Sequence, residues 1–388
     1  MIRIALVTNI RTPNNDALFG HVARQPGVDF HVLYGAAVEA NRDWRLAAAE
    51  SYAHEVLPGW TLRGSAHVNP ALVGALRFFA PDAVVLSGSY VMPTVQLAAV
   101  TLARSRTPWA YWGEELSHTA VAAPRRAVRA ALRWPVRRAG GVLAIGSRAR
   151  ASYVRAGVPP ARVADFRYYA DAEHFALPPD ARVVARASVR ARHAIAHDAV
   201  VVLYCGQLIS RKGVDTAIRA FGRIGPAAAG TAPCVLLVVG DGAERGALQR
   251  LAGELGVADR VRFAGFAQPD VLPAYFAACD CFVLPSHAEG WGVVVGEALA
   301  AGLPVFASTR VNAAADLVRP GENGGVFEPG DDAGLATVLG SAVADPARLA
   351  ATGACARASV RGEAPVVAAP RLVRLLAAVR AGAPIEDL

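Results

Sequence analysis

The sequence predicts an α/β chain made of two doubly wound parallel sheets. Three observations carry that fold class. Short β-branched runs alternate with longer helical stretches nearly from end to end, a change of composition interrupts the alternation near the middle, and 388 residues exceed one domain of ordinary size. Apolar residues make up 54% of the chain, yet no apolar run approaches the roughly 18 to 20 residues that a membrane span needs. The start, MIRIALVTNIRTPNND, meets polar residues early and offers no secretory h-region or small-residue cleavage site. The expectation is a soluble, cytoplasmic protein whose first segment is already a buried strand.

In the first half the strand candidates are Ile2 to Val7, Phe30 to Tyr34, Ala83 to Ser87, Trp109 to Trp112 and Val142 to Ile145. In the second they are Val200 to Cys205, Val235 to Gly240, Val261 to Ala264, Phe282 to Pro285, Pro304 to Ser308 and Gly325 to Phe327. The composition shifts at Pro178-Pro179-Asp180, and an arginine-rich polar stretch to His197 precedes the strongest strand. The expected domains are therefore residues 1–177 and 178–365, with a final helix in 366–388 that packs back on one of them.

The net charge is +8, and among 40 lysines and arginines Lys212 is the sole lysine. A compact ammonium in a chain that otherwise uses guanidinium is a chemical choice rather than general surface charging. The arginines are spread over both halves without an aromatic-basic recognition motif, so no nucleic-acid partner is expected. Five scattered cysteines fit reduced, core-filling thiols, and Cys279 and Cys281 lack partners at metal-ligand spacing, so no metal site is expected.

The stretch His287 to Pro304, HAEGWGVVVGEALAAGLP, sets two glutamates eight residues apart in apolar, glycine-rich company. Gly302 and Pro304 stop a helix that begins near Gly292 or Val293, so the glycines occupy a strand-to-helix loop. Such a loop at the carboxyl end of a parallel strand offers backbone N–H groups and a helix N-terminus to an anion. Eight helical residues rise about 12 Å, so Glu289 and Glu297 cannot share one atom but can hold both ends of a ligand whose phosphates lie between them. A sugar nucleotide has that shape, and a carboxylate accepts well from neighbouring hydroxyls. A second strand-loop-helix, VVLYCGQLISRKG, supplies Gly206, Gln207, Arg211 and Lys212, the last two placed to neutralise a diphosphate.

From VVLYCGQLISRKG through LLVVGDGAERGALQRLAGELGVADRVRFAGF and CFVLPSHAEGWGVVVGEALAAGLPVFAS to NGGVFEPGD, about residues 198 to 332, the chain resembles the donor domain of family-four retaining glycosyltransferases. The resemblance implies the GT-B architecture, two Rossmann-like doubly wound domains facing across a cleft, with an acceptor-binding N-terminal and a donor-binding C-terminal domain. It implies that Glu289 holds donor-sugar hydroxyls and Glu297 the ribose. The backbone of Gly290, Trp291, Gly292, Val293 and Val294 then contacts sugar and phosphate, and Gly265, Phe266 and Ala267 meet the base. Where the family commonly has arginine this chain has Gln207, and Arg211 is the expected substitute beside Lys212. Retaining, metal-independent transfer from a nucleoside diphosphate sugar, with a UDP-sugar favoured and no cofactor, is the implied reaction. No Asp-x-Asp occurs, which agrees with phosphates neutralised by cations and a helix terminus.

On the acceptor side the candidates are Asn14 and Asn15, expected in a loop after the first strand, and Glu114 and His118 after the strand WAYW. Loop polar residues are more often simple turn formers. The acceptor could be a glycan, a lipid-linked sugar or a small molecule. PRRAVRAALRWPVRR, Pro124 to Arg138, is expected as one basic helix, a solvated face that is also compatible with peripheral contact with an anionic membrane. The rivals are an epimerase or a phosphorylase on the same scaffold, and a dinucleotide-dependent oxidoreductase. GDGAERG lacks the spacing of the dinucleotide fingerprint.

Overall fold

The computed structural model describes residues 1–39, 44–45, 51–62, 66–116, 123–225 and 233–388. His118 lies outside them. The chain divides into two compact units, Met1–Tyr169 with Pro365–Leu388, and Ala170–Ala364.

In the first unit the strands are β1 (Ile2–Thr8), β2 (Val28–Tyr34), β3 (Ala53–Val56), β4 (Trp60–Leu62), β5 (Ala66–Val68), β6 (Ala83–Ser87), β7 (Trp109–Gly113), β8 (Gly141–Ala144) and β9 (Val163–Asp165). Seven of these, among the described residues, form one sheet in the order β3-β2-β1-β6-β7-β8-β9, every pairing parallel. The central strands are buried along their whole length, as a sheet covered by helices on both faces demands. β4 and β5 pair apart as an antiparallel hairpin. The expected strands of this half are all present; β3, β4, β5 and β9 are additional, being only three or four residues long.

The second unit holds β10 (Val200–Cys205), β11 (Cys234–Val239), β12 (Val261–Gly265), β13 (Cys281–Leu284), β14 (Val305–Ser308) and β15 (Gly324–Phe327). They form a parallel sheet in the order β12-β11-β10-β13-β14-β15. Chain order reverses between β10 and β13, and ligands of open α/β sheets bind beyond the carboxyl ends of the strands at such a switch point.

Three expectations change. The boundary falls at Tyr169/Ala170, ahead of residue 178, because the short helix Ala172–Phe175 packs inside the second unit, Phe175 against Phe276 at a ring separation of 5.1 Å. Residues 124–138 are two helices, Ala123–Leu132 and Trp134–Arg138. Pro135 has no N–H to continue the first, and its carbonyl accepts from Trp109 Nε1 at 3.0 Å. Asn14 and Asn15 lie in the first turn of the helix Pro13–Ala23, which Pro13 starts.

The terminal helix Pro365–Ala381 belongs to the first unit. It buries Leu372, Leu375, Leu376 and Val379, and a Cβ at Gly141 would stand 2.7 Å from both Val379 Cγ2 and Ile385 Cδ1. Glycine there lets the C-terminal segment lie directly on β8.

In the second unit the arginine-rich stretch forms the helix Pro179–Arg192. Arg190 is buried, with Nη2 donating to Asp280 at 2.9 Å and Nε to the Ala278 carbonyl at 3.0 Å. Its Nη1 reaches the carbonyls of Ala196, His197 and Ala199 at 3.1, 2.9 and 2.8 Å. Asp280 also accepts from the Val201 N–H at 2.7 Å, so one ion pair ties the helix to the first residues of β10 and to the turn before β13. Removing one member of such a buried pair costs about 3–5 kcal/mol. Arg190→Met is therefore expected to lower stability to urea by that order, and Arg186→Met, whose partner is the same Asp280 but which is one-third exposed, by much less. Equal losses would show that the buried guanidinium is not the anchor.

Candidate functional site

β10 ends at Cys205 and runs through Gly206, Gln207 and Leu208 into a single 3-10 turn, Ser210–Lys212. Gly213 follows at φ +61°, where a Cβ would stand 2.3 Å from the Pro285 carbonyl oxygen. Only glycine fits that position and that conformation together. The His287 N–H donates to the Arg211 carbonyl at 2.9 Å, so the loop after β10 and the loop after β13 are locked backbone to backbone.

The second loop, from Pro285 to Gly292, is held from its far side by the segment after β14. Ser308 Oγ donates to the Ser286 carbonyl at 2.5 Å, the Glu289 N–H to the Arg310 carbonyl at 3.1 Å, Asn312 Nδ2 to the Gly290 carbonyl at 2.9 Å and the Ala313 N–H to the Trp291 carbonyl at 2.8 Å. Trp291 is buried, which fixes the loop from below. Gly292, at φ +95°, is the N-cap of the helix Val293–Ala301, and no side chain caps it. That helix end, with half-buried Val293 and Val294 in its first turn, points its partial positive charge at the site.

Interlocked loops bring the charged residues together. Lys212 Nζ donates to Glu289 Oε2, Arg211 Nη1 lies 3.4 Å from Glu289 Oε1, and Arg211 Nη1 donates to the Ala288 carbonyl at 2.7 Å. The Lys212 and Glu289 side chains are mostly buried while Arg211 is 46% exposed, so the guanidinium forms the rim. Glu297 sits one turn further along the helix, half-buried, and among the described residues its carboxylate has no hydrogen-bond or ion-pair partner. Desolvation alone pushes its carboxyl from 4.5 up to about 7. The Cys205 thiol feels both the Glu297 charge and the Lys212 charge, which places Glu297 toward the carboxyl end of β10.

The remaining donor-side candidates line the same edge of the sheet. The Gly206 carbonyl is where a Cβ at Gly240 would fall, and the Gly240 N–H donates to the Gly265 carbonyl at 2.8 Å. The Gln207 carbonyl accepts from Tyr204 Oη at 2.9 Å, so its backbone is fixed. Gly265 ends β12 at φ +80°, followed by Phe266, 42% exposed, and half-buried Ala267.

In the first unit the acceptor-side candidates follow β1 and β7. Asn14 Nδ2 donates to Asn15 Oδ1 at 3.1 Å, and Asn15 is buried. The Glu114 carbonyl accepts from Tyr153 Oη at 2.7 Å beyond β7. Sequence reasoning missed a polar group beside the Asn pair: Asp16 binds Arg11 Nε at 2.9 Å and Tyr52 Oη at 2.6 Å, and Tyr52 Oη lies 2.8 Å from Tyr34 Oη. It missed the Ser308, Arg310 and Asn312 clamp as well. Neither group has a spacing that sets it apart from ordinary turn residues.

Residues 185–358 match the family model for glycosyl transferases group 1. Among curated proteins, the chain is 37% identical over 194 residues to a GDP-mannose-dependent alpha-(1-6)-phosphatidylinositol monomannoside mannosyltransferase of Mycolicibacterium smegmatis, covering 48% of each. It is 43% identical over 149 residues to the lipopolysaccharide core biosynthesis glycosyltransferase LpsE of Rhizobium meliloti, covering 38% of this chain and 41% of that protein. The chain thus spans about half the length, or less, of these relatives. Among solved structures, Anabaena HepE in complex with UDP superposes with a TM-score of 0.77 over 97% of this chain and 100% of that one at 20% identity. A likeness at that identity shows the fold, the two Rossmann-like units of the GT-B class.

Burial of Glu297 has a measurable consequence. Its carboxyl titrates near 7 in the folded chain and near 4.5 when unfolded, so between those values the folded state holds more protons. Stability contributed by the protonated form is present below about pH 4.5 and is lost as pH rises to about 7. Glu297→Gln, which keeps the neutral shape, is expected to raise the melting temperature of the ligand-free protein at pH 8 and to leave it nearly unchanged at pH 4.5. A lower melting temperature at pH 8 would contradict an unpartnered carboxylate.

Proposed function

We propose that the protein transfers a sugar from a nucleoside diphosphate sugar to an acceptor hydroxyl, with retention at the anomeric carbon and without a metal ion. One observation carries the reading. Lys212, Arg211, Glu289 and the uncapped end of the helix Val293–Ala301 meet at the switch point of the second sheet, and Glu297 follows on the same helix. The cations and the helix end supply the positive field that a leaving diphosphate needs. Glu289 accepts from the sugar hydroxyls and Glu297 from the ribose, each carboxylate giving a pair of vicinal hydroxyls two oxygen acceptors.

In the transfer the bond between the anomeric carbon and the phosphate oxygen breaks, and the nucleoside diphosphate leaves with the electron pair. The acceptor oxygen bonds to the same face of the anomeric carbon, and its proton passes to the departing phosphate oxygen. No protein nucleophile is required, and the role of Lys212 and Arg211 is to make the diphosphate a better leaving group. In the ligand-free protein Glu289 occupies both cations. Donor binding then exchanges a carboxylate partner for phosphate oxygens, with Arg211 doing the work of the arginine that position 207 lacks.

The relatives named above are a phosphatidylinositol monomannoside mannosyltransferase and a glycosyltransferase of lipopolysaccharide core biosynthesis, so a glycan or lipid-linked acceptor is the favoured class here, with a small molecule as the alternative. No helix among the described residues is long and apolar enough to cross a membrane. The reading assigns the enzyme to the cytoplasm, with the basic helices of residues 123–138 as the surface for peripheral contact with anionic lipid.

Thermal shift with nucleoside diphosphates in EDTA tests the site. The wild type is expected to be stabilised, Lys212→Ala to lose the shift, and Arg211→Ala to weaken binding at least tenfold, about the worth of one charge-assisted hydrogen bond pair. A shift that needs added metal, or that survives Lys212→Ala, would overturn the metal-independent assignment. Unchanged affinity in Arg211→Ala would end its role as the substitute cation.

A further inference from the structure

Resting on the reading above, we propose that the donor base is guanine and that Arg245, steered by Asp241, reads it, in place of the uracil expected from the sequence. The direction in which the nucleotide extends follows from what each side of the site holds. Toward β14 the loop is closed by Ser308, the Arg310 carbonyl and Asn312, which grip Ser286, Glu289 and Gly290. Toward β11 and β12 the strand ends are glycines packed backbone on backbone. The strand ends there carry Gly206, Gly240, Gly242 and Gly265; a Cβ at Gly240 would strike the Gly206 carbonyl, and one at Gly242 would stand 2.4 Å from the Leu208 carbonyl. Glu297 and Lys212 both act electrostatically on Cys205, the residue that ends β10 and precedes Gly206. A nucleotide with its diphosphate at Lys212 and its ribose at Glu297 therefore sets its base over the ends of β11 and β12.

Three groups wait at that end. Phe266 is the one exposed phenylalanine, tyrosine or tryptophan of the second unit among the described residues, and it directly follows β12. An exposed aromatic ring is a stacking surface for a base. Asp241 follows β11 through Gly240; its Oδ1 accepts from the Gly242 N–H at 2.8 Å and its Oδ2 from Arg245 Nη1 at 2.7 Å. A Cβ at Gly265 would stand 3.5 Å from Arg245 Nη1, so the guanidinium lies against the last residue of β12, next to the Phe266 backbone. Arg245 is one-third exposed, and Asp241 takes Nη1, which leaves the Nη2 and Nε hydrogens for a ligand.

A guanidinium fork wants two acceptors side by side. Guanine presents O6 and N7 in that relation; adenine places an amino donor beside N7, and uracil has O4 next to a carbon. Asp241 is a positioning residue, since it aims the fork without needing to touch the base.

Calorimetric titration with GDP, UDP, ADP and 7-deaza-GDP, on the wild type, Arg245→Ala and Asp241→Asn, tests the assignment. Bidentate readout of O6 and N7 discriminates by roughly tenfold to a hundredfold. GDP is therefore expected to bind the wild type at least tenfold more tightly than UDP or ADP, and 7-deaza-GDP, which lacks the N7 acceptor, to lose about tenfold. In Arg245→Ala, GDP and 7-deaza-GDP should bind alike, with Asp241→Asn in between. UDP or ADP binding as tightly as GDP, or 7-deaza-GDP matching GDP on the wild type, overturns the guanine assignment while leaving the sugar-nucleotide site standing. No binding of any nucleotide overturns both.

Discussion

Everything at the site depends on one close backbone contact, Gly213 against the carbonyl of Pro285. The two loops that leave β10 and β13 at the switch point can only meet this tightly because position 213 has no side chain. The bond from the His287 N–H to the Arg211 carbonyl then fixes their relative height. Lys212 and Glu289 are brought face to face by backbone geometry, so their ion pair is a result of the interlock. The clamp from Ser308 to Ala313 holds the loop from the opposite side with backbone and side-chain hydrogen bonds. Rigid support of this sort is what lets a site meet a charge that develops during reaction without first reorganising.

The same preorganisation has a thermodynamic cost that the two glutamates divide differently. Glu289 is neutralised in the free protein by Lys212 and Arg211, a pair of partners that phosphate must later displace. Glu297 has no such partner among the described residues and is held half out of water on a helix, where its carboxyl resists ionisation. Both states are poor for an empty protein and suited to a ligand that brings hydroxyls to one end and negative charge to the middle. A residue that breaks the local rule of satisfied polar groups without a structural benefit marks function more sharply than a residue that obeys it. The contrast with Arg190 is instructive: its buried charge is met by five acceptors at the opposite, amino-terminal end of the same sheet, where it secures the fold.

The second sheet and its site were largely legible in the sequence because their residues carry local signals. β10 and β11 are β-branched runs that stop at Gly206 and Gly240, β12 ends in Gly265 and β13 stops at Pro285, and the two glutamates and the lone lysine stand out chemically from their neighbours. The domain boundary was less legible. Ala172–Phe175 is a four-residue helix with no periodicity to betray that Phe175 packs on Phe276, and it moves the division from residue 178 to 170. The amphipathic pattern of the terminal helix says that one face is covered without saying by which sheet; the answer lies in Gly140 and Gly141, whose missing side chains make room for Val379 and Ile385. Asn14 and Asn15 look like turn formers, yet Thr12-Pro13 ahead of them is a helix-start signal, and the helix start is what the structure has. The Arg11, Asp16, Tyr52 and Tyr34 cluster joins residues from three separate segments, a proximity that only the folded sheet creates.

The most direct measurement is of the chemistry itself. The protein is incubated with a panel of nucleoside diphosphate sugars in EDTA, with water or an added glycan as acceptor, and nucleotide release and the anomeric configuration of the product are followed by NMR. The site described here predicts release of nucleoside diphosphate from at least one donor, an α-linked donor giving an α-linked product, and loss of turnover in Glu289→Gln. An inverted product would contradict same-face attack, and turnover that persists in Glu289→Gln would show that the interlocked loops do not hold the reacting sugar.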